Sequence, residues 1–203
     1  MTNIYKVIST RRTLRRFKST KNISIGYLEK MARLGALAPS RVNRQLWEFI
    51  IVKDPIVRKK VFANILWGSK NPLNKAFADP KYAPNAYIAI IINEKIGNTG
   101  YEYELGACAE NIMIYAWSLG IGGVWIHSIN KLEISKIIQL PKGKILDSVI
   151  GLGYPAHTSK VVKFKETQNY SYDRNLNLLV PKREARYLIH YDKHGLHQGI
   201  KKT

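Results

Sequence analysis

Four arginines and a threonine lie within one short stretch near the start of the chain. The stretch "RRTLRRF" holds Arg11, Arg12, Thr13, Arg15 and Arg16. Because a guanidinium presents two parallel donors, an arginine pair beside a hydroxyl can bind the oxygens of a phosphate. The alternative is a solvated basic helix end, since cations there interact favourably with the helix dipole. The residues alone leave both interpretations open.

A second stretch, "APSRVNRQLW" over residues 38–47, is unusually polar for a short connection between a helix and a strand. Such turns usually need little more than Gly, Asn or Pro. This one supplies hydroxyl, guanidinium and amide groups from Ser40, Arg41, Asn43, Arg44 and Gln45. Groups of this kind satisfy the donors and acceptors of a buried ligand. The alternative for Asn43 is that it closes the turn with its own backbone.

Other kinds of catalytic site find little support. The sequence has no Gly-x-Gly-x-x-Gly after the first predicted strand, no Walker loop, no His-Glu-x-x-His and no Gly-x-Ser-x-Gly. His190, His194 and His197 would share one side of a helix, but no Cys or carboxylate pair accompanies them. We therefore predict no metal site. The lone Cys108 excludes an internal disulfide and is expected to be buried and inert.

Helices and short strands alternate along the chain and must position these stretches. Apolar periodicity and capping residues predict the elements. We predict helices over residues 3–10, from Ser24 to Pro39, from Asp54 onward, over 102–119 and over 132–140. We predict strands over 49–54, 86–93, 120–129 and 147–155. Residues 68–84 read as irregular, and the last ~45 residues carry little periodicity. This pattern favours an α/β or α+β fold over a barrel.

Composition restricts the class of protein. The chain has 203 residues, which fits one domain, and no apolar run approaches the ~18 residues of a membrane span. No secretory signal is visible, so we expect a cytoplasmic protein. Its net charge is +19, from 33 Lys and Arg against 14 Asp and Glu. A nucleic-acid-binding protein is therefore an alternative, although no nucleic-acid motif is present.

Four segments, in this order, resemble the nitroreductase family of FMN flavoenzymes. They are "RRTLRRF", "APSRVNRQLWEFIIV", "ENIMIYAWSLGIGGVWIHSI" and "IGLGYP", and the resemblance runs from about Ile4 to Pro155. The Ala-Pro-Ser-x-x-Asn-x-Gln-x-Trp string is its specific part. The resemblance implies an α+β fold with a central mixed, mostly antiparallel sheet flanked by helices. It also implies a single FMN-binding domain over residues 1–203, with an extended tail over 175–203 that reaches over a partner subunit.

The resemblance assigns residues to an FMN site. The loop would line the isoalloxazine and ribityl chain across a dimer interface, through Pro39, Ser40, Arg41 and Asn43, with Gln45 and Trp47 as supports. The phosphate and ribityl contacts would come from Arg11, Arg12, Thr13 and Arg15. The backbone of His127 and Ser128 would face flavin N5, and no catalytic side chain is implied. After the Gly-Tyr-Pro turn, the family usually supplies another cation to the phosphate. Lys163 and Lys165 match this position best, and Lys160 is the next candidate.

Three residues depart from the family pattern. Leu46 stands in place of a proline, which predicts a less rigid loop. Arg41 replaces a small residue and would attract anionic substrates if it faces the flavin. His127 replaces a small residue or Glu, and its imidazole could supply protons near neutral pH or simply pack.

The resemblance also implies an activity. NAD(P)H would deliver hydride to FMN and leave, and a nitroaromatic, quinone or similar acceptor would then enter the same pocket. The enzyme would be a homodimer with shared sites, and the apolar helix "LGACAENIMIYAWSLG" would form a subunit contact. A specific nucleic-acid partner is not expected. Dehalogenation, oxidation of peptidic heterocycles and flavin fragmentation, known among relatives, rank behind plain NAD(P)H-dependent reduction.

Overall fold

The computed structural model describes residues 3–67, 77–97, 99–165, 169–175 and 177–195. The chain divides into two compact units, Met1–Ala156 and His157–Thr203. The second unit therefore begins before residue 175, where the tail is predicted to start. Whether the two units act as the single predicted domain stays a prediction.

The first unit is built on a four-stranded antiparallel sheet with the strand order β1-β2-β4-β3. Its strands are β1 (Trp47–Val52), β2 (Ala86–Asn93), β3 (Gly122–Ile126) and β4 (Lys144–Gly153). β2 is paired on both sides and buried along almost all of its length, which explains its unbroken apolar sequence. The predicted α+β fold with a mostly antiparallel sheet is confirmed, and a parallel contact comes from an isolated bridge between Thr13 and Gly123.

Helices cover both faces of this sheet. They are α1 (Ile4–Thr10), α2 (Ile25–Ala36), α3 (Pro55–Ala63), α4 (Glu102–Ser118) and α5 (Lys131–Ile137). α2 and α4 contribute to one apolar cluster against the sheet, and α3 and α5 contribute to the cluster on the opposite face. The predicted helix starts are confirmed, because the side chains of Ser24 and Asp54 accept backbone N–H bonds from the first turns of α2 and α3.

One irregularity in the sheet affects the candidate site. Along the β2–β4 pair, Ile90 lies opposite Ser148 but Ile91 lies opposite Leu146. Asp147 is therefore an extra residue on β4, which is the arrangement of a β-bulge. Bulges redirect a side chain out of the regular alternation and are frequent beside active sites.

The second unit contains a small sheet that the sequence analysis did not predict. Its strands are β5 (Ser159–Lys163), β6 (Ser171–Tyr172) and β7 (Leu178–Lys182); β7 pairs in parallel with β5 and antiparallel with β6. β5 and β6 are exposed or only partly buried, so they show no strong alternation of apolar and polar residues. Within the described ranges, no helix is long and apolar enough to cross a membrane.

Candidate active site

The arginine-rich segment that follows α1 is fixed to the ends of β3 and β4 by close packing. Leu14 and Phe17 are buried, and the Leu14 amide donates to the Gly123 carbonyl at 3.1 Å. A Cβ added to Gly122 would lie 2.7 Å from Leu14 Cδ1, and one added to Gly153 would lie 2.7 Å from the Phe17 ring. The two glycines therefore allow this segment to approach the sheet.

The Gly-Tyr-Pro turn after β4 holds the other end of the arginine-rich segment. Phe17 forms an antiparallel bridge with Pro155, and the Lys18 amide donates to the Tyr154 carbonyl at 2.8 Å. The Ala156 amide donates to the Arg16 carbonyl at 3.0 Å. Two of the four segments that carry the resemblance, far apart in sequence, thus form one local structure.

Each arginine of this segment has a defined neighbour. Arg11 Nε lies 2.8 Å from Glu110 Oε1 on α4, and Arg12 Nη2 donates to the Ser9 carbonyl. The guanidinium of Arg15 lies 5.8 Å from the ring centroid of Phe77, and that of Arg16 lies 3.7 Å from the centroid of Tyr82.

The surroundings of Arg12 disfavour its charged form. Burial lowers the pKa of Arg12, and the positive charge of Arg11 lowers it further. Two like charges held together in this way would be stabilised by an anion between them. This is the local chemistry expected of a phosphate site.

The polar loop has a strained backbone. Val42, Asn43 and Gln45 adopt positive φ angles of 46°, 55° and 46°. This conformation is tolerated by Asn but is an outlier for a β-branched residue such as Val42, which is also 89% exposed. Strain of this kind persists only where surrounding contacts impose it, and it clusters at functional sites.

Short-range hydrogen bonds close the loop on itself. Ser40 Oγ accepts from the Gln45 amide at 3.1 Å, and Gln45 Nε2 donates to Asn43 Oδ1 at 3.0 Å. Gln45 therefore supports the loop, as predicted. Leu46, which stands where the family pattern has a proline, is completely buried. Its carbonyl accepts from the Asn93 amide at 2.8 Å, so core packing and this hydrogen bond fix the end of the loop. Pro39 and the side chains of Arg41 and Asn43 lie at the surface.

An ion pair that the sequence analysis missed fixes the loop to α4. Arg44 Nη2 lies 2.8 Å from Glu104 Oε1, and Arg44 Nε contacts both carboxylate oxygens at 3.0 and 3.2 Å. The same Oε1 accepts from the Arg41 amide at 3.1 Å. Arg44 also donates to the carbonyls of Thr99 and Gly100.

A sequence signal for this pair did exist. Glu104 lies one residue before Leu105 and four before Cys108, so it borders the buried side of α4. A carboxylate in that position needs a cationic partner. Arg44, however, lies 60 residues away, and no local pattern connects the two.

His127 and Ser128 follow β3 and are exposed. Ser128 is fixed by its backbone, because its carbonyl accepts from the Leu66 amide at 2.9 Å. The ring of His127 lies 4.5 Å from that of Trp125, and its Nε2 lies 3.5 Å from Oδ2 of the bulge residue Asp147.

The environment of Asp147 favours its ionised form. Burial alone would raise the pKa of Asp147, but the polar side chains of His127 and Ser148 beside it lower this pKa. The positive charges of His127 and Lys131 lower this pKa further, and Lys131 Nζ lies 4.0 Å from Asp147 Oδ1. The net effect is a pKa below the ordinary value for Asp.

The predicted lysines lie in the second unit. Lys163 Nζ lies 3.5 Å from Glu184 Oε1, beside a cavity of about 430 Å³ that Arg183 and Tyr187 also line. Lys165 is exposed. The assignment of both lysines to a phosphate stays a prediction.

No metal centre is visible in the described part of the chain, where no group of three potential ligands comes together. The rings of His190 and His194 lie 4.3 Å apart. His197 lies outside the described residues.

Two elements relate the candidate segments of the first unit to one another. Thr13 pairs with Gly123 in the first half of β3, and His127 follows the end of β3, roughly 13 Å further along at ~3.3 Å per residue. α4 contacts Arg11 through Glu110 and the loop through Glu104. These two glutamates lie about 9 Å apart along the helix and about 120° apart around it.

Comparisons with known proteins agree on one family. A profile of the Nitroreductase family matches residues 8–154. A provisionally named NADH dehydrogenase/NAD(P)H nitroreductase of Archaeoglobus fulgidus is 32% identical over 164 residues, covering 76% of this chain and 87% of the relative.

Solved structures show the same fold. An FMN-dependent nitroreductase from Clostridium difficile has a TM-score of 0.62 and 23% identity, and the match covers 80% of this chain and 90% of that one. A provisionally named nitroreductase from Desulfovibrio desulfuricans, solved in complex with FMN, has a TM-score of 0.64 and 18% identity. That match covers 82% of this chain and 94% of the other.

Proposed function

Because the chain belongs to the nitroreductase family, we propose that it is an FMN-dependent oxidoreductase that uses NAD(P)H to reduce nitroaromatic, quinone or similar small acceptors. The cycle would be ping-pong, so that NAD(P)H leaves before the acceptor enters. When bound, FMN accepts and donates the hydride, while the protein supplies binding, orientation and electrostatics.

The observation that carries this proposal is the arrangement along β3. The arginine-rich segment lies beside the first half of the strand, and the exposed residues His127 and Ser128 follow its last residue. A separation of roughly 13 Å between them suits a ligand with a phosphate at one end and a flat ring system at the other.

The residues present fit a phosphate at the first of these positions. Arg11 and Arg12 repel each other there, and Arg12 is partly buried. A phosphate dianion would relieve this repulsion and accept charge-assisted hydrogen bonds from both guanidinium groups. Thr13 directly follows Arg12, and Arg15 lies two residues further on; both would complete the contacts. Lys163 and Lys165 remain further proposed cations.

The loop would contribute to the FMN site of a partner subunit. Within one chain, Arg11 and the loop contact α4 on sides about 120° apart. That separation favours a site in which the two segments come from different chains. Pro39, Ser40, Arg41 and Asn43 would then face the ring and ribityl chain of the neighbouring site.

An apolar groove supports the homodimer. α1, α2 and α4 line a cavity of about 390 Å³, to which Ile4, Leu34, Leu37 and Ile114 contribute. Ile4 is 61% exposed and Leu37 is 77% exposed, which leaves a contiguous apolar surface. Surfaces of this kind mark protein–protein interfaces. We propose that a second copy of this chain covers the groove.

The decisive experiment is spectroscopic. The purified protein should be yellow, show a flavin absorption spectrum and release FMN rather than FAD on denaturation. NADH or NADPH should bleach the spectrum under anaerobic conditions, and a quinone should restore it. A colourless protein that does not bind added FMN would contradict the proposal and favour the nucleic-acid alternative.

A further inference from the structure

We propose that His127 donates a proton to the acceptor as the acceptor is reduced, and that Asp147 positions the imidazole for this transfer. The inference rests on the proposed function, because it takes the acceptor to bind beside His127. His127 would act as a catalytic residue through its side chain, in addition to the backbone role that the resemblance implies.

The geometry of the pair supports a positioning role for Asp147. The β-bulge places an extra carboxylate within β4, where Asp147 is buried. His127 Nε2 lies 3.5 Å from Oδ2 of this carboxylate, and the centroid of its ring lies 4.5 Å from that of Trp125. Because Nε2 is the ring nitrogen beside Asp147, Nδ1 is the nitrogen that we propose for contact with a ligand. A carboxylate that orients an imidazole in this way fixes which nitrogen reacts.

The exposure of the histidine side chain suits repeated proton transfer. The His127 side chain is 53% exposed, whereas that of Asp147 is 11% exposed. Water can therefore reach the ring and return a proton to it after each turnover. The carboxylate stays shielded, so it keeps its contact with the ring while the proton is exchanged.

The proton and electron balance requires a source of one proton besides the hydride. Reduction of a quinone to a hydroquinone adds two electrons and two protons. NAD(P)H contributes both electrons and one hydrogen as hydride, by way of the cofactor. The second proton would come from Nδ1–H of the protonated His127 imidazolium. This N–H bond breaks as the O–H bond of the hydroquinone forms, and the ring is left neutral with its hydrogen on Nε2.

Lys131 and Tyr101 also interact electrostatically with Asp147. Lys131, in the first turn of α5, lies 4.0 Å from Asp147 and competes with His127 for it. The negative charge of Asp147 also reaches Tyr101, whose pKa is raised first by burial and then by the charges of Asp147 and Glu102. Lys131 therefore provides a matched control, because it contacts the same carboxylate but carries no imidazole.

The kinetic test compares two acceptors on the FMN-loaded protein. A quinone needs a proton for reduction, whereas ferricyanide takes an electron without one. In His127→Gln, we expect the quinone-to-ferricyanide rate ratio to fall by about 100-fold, the lower range for a general acid. In Lys131→Gln, the ratio should stay close to that of the unmodified protein. The pH profile of the quinone rate should lose one limb in His127→Gln.

The outcomes separate the two proposals. If the unmodified protein does not bind FMN, the proposed function is wrong. If it binds FMN and His127→Gln keeps the quinone-to-ferricyanide ratio of the unmodified protein, only the proton-donor role is wrong.

A second test needs no cofactor. The ¹⁵N chemical shifts of the His127 ring in the ligand-free protein report which nitrogen carries the hydrogen. In the unmodified protein, the neutral ring should carry it on Nε2, and Asp147→Ala should shift the population towards Nδ1. Unchanged shifts in a folded Asp147→Ala protein would overturn the positioning role. If that variant does not fold, the His127→Gln ratio still decides the proton-donor role.

Discussion

At the residue scale, the candidate site consists of side chains that already have partners in the chain. Arg11 is paired with Glu110, Asn43 with Gln45, and His127 with Asp147. These contacts orient the side chains before any ligand binds, which reduces the entropy lost on binding. Substitutions at these positions therefore report on orientation as well as on contact.

Arg11→Ala should weaken FMN binding by about 1.5–3 kcal/mol, the range for a hydrogen bond to a charged group. The variant also removes the cation that lies 2.8 Å from Glu110. The unpaired Glu110 carboxylate would then repel the bound phosphate. Isothermal titration with FMN measures the change. Arg33→Ala, which removes an exposed arginine from the last turn of α2, is the control. Equal FMN affinity in Arg11→Ala and the control would refute the assignment of Arg11.

His127→Gln should change how stability depends on pH. The pKa of Asp147 is lowered in the folded protein, so its ionisation stabilises the fold above the unfolded pKa of about 3.9. This stabilisation is lost as the pH falls through the lower folded pKa. The variant removes one cause of the lowering, so it should be less stable than the parent near about pH 5, and the difference should shrink below about pH 3. Urea unfolding at both pH values tests this, and a pH-independent difference would contradict it.

At the element scale, the contacts that hold the site together join elements far apart in sequence. Arg44 and Glu104 link the loop to α4, and the Gly-Tyr-Pro turn links β4 to the arginine-rich segment. α4 and the sheet therefore form the frame on which the site is assembled. Two substitutions test these links.

Glu104→Gln should release the loop. The Glu104 side chain is 8% exposed, so neutralising it leaves Arg44 without its ionic partner in a largely buried place. We expect a loss of about 3 kcal/mol in the free energy of unfolding, the lower end for a broken buried pair, together with weaker FMN binding. Glu133→Gln, which breaks the exposed pair with Lys136 on α5, should cost less than about 0.5 kcal/mol. Similar losses in the two variants would show that Arg44 and Glu104 do not hold the loop.

Gly153→Ala should destabilise the protein, whereas Gly26→Ala should not. A Cβ at position 153 would lie 2.5 Å from Asn85 Oδ1 and 2.7 Å from the Phe17 ring, so the arginine-rich segment would have to shift. Such overpacking costs about 1–3 kcal/mol. Position 26, inside α2, has nothing within 4 Å, and alanine there should stabilise by roughly 0.5–1 kcal/mol. Thermal unfolding should give changes of opposite sign, and a neutral Gly153→Ala would refute the close approach.

The sequence predicted features that depend on neighbouring residues, but it did not predict contacts between residues far apart in the chain. Ser24 and Asp54 marked helix starts and "AYIAIIIN" marked β2, because caps and apolar runs are local signals. The bulge at Asp147 depends on the register of a partner strand, and the partner of Arg44 lies 60 residues away. The mostly exposed strands β5 and β6 lack a strong apolar pattern. Within the candidate site, the sequence predicted the segments and the support from Gln45, but not Glu104 or Asp147, which lie far away in sequence.

At the scale of the whole molecule, two chains are proposed to complete each site. Two observations support this arrangement. An apolar groove between α1, α2 and α4 is exposed, and Arg11 and the polar loop contact different sides of α4. A ligand that binds only the assembled dimer stabilises it by mass action. FMN binding and dimerisation should therefore be linked.

Mixed dimers of two defective variants test the shared site. Arg11→Ala removes a phosphate contact, and Asn43→Asp removes an amide donor from the loop. Aspartate tolerates the positive φ of position 43, which leucine would not, and it keeps the acceptor for Gln45. A mixed dimer would have one site with both changes and one with neither. It should recover up to half of the FMN content and reductase activity.

The control for this experiment is a mixture of each variant with itself, treated in the same way. If heterodimers form, as native mass spectrometry can show, but no FMN binding returns, the loop does not reach the partner's site.

The position of β1 at the end of the sheet has a consequence for the newly made chain. Among the described residues, β1 pairs only with β2, and its sequence "WEFIIV" combines strong strand-forming residues with a single charge. An edge of this kind can recruit the same segment of another unfinished molecule and begin aggregation. Glu48 within the strand and Lys53 and Asp54 directly after it place charges where such stacking would start. Removing these charges should cost yield during expression at high concentration, even where the finished protein is equally stable.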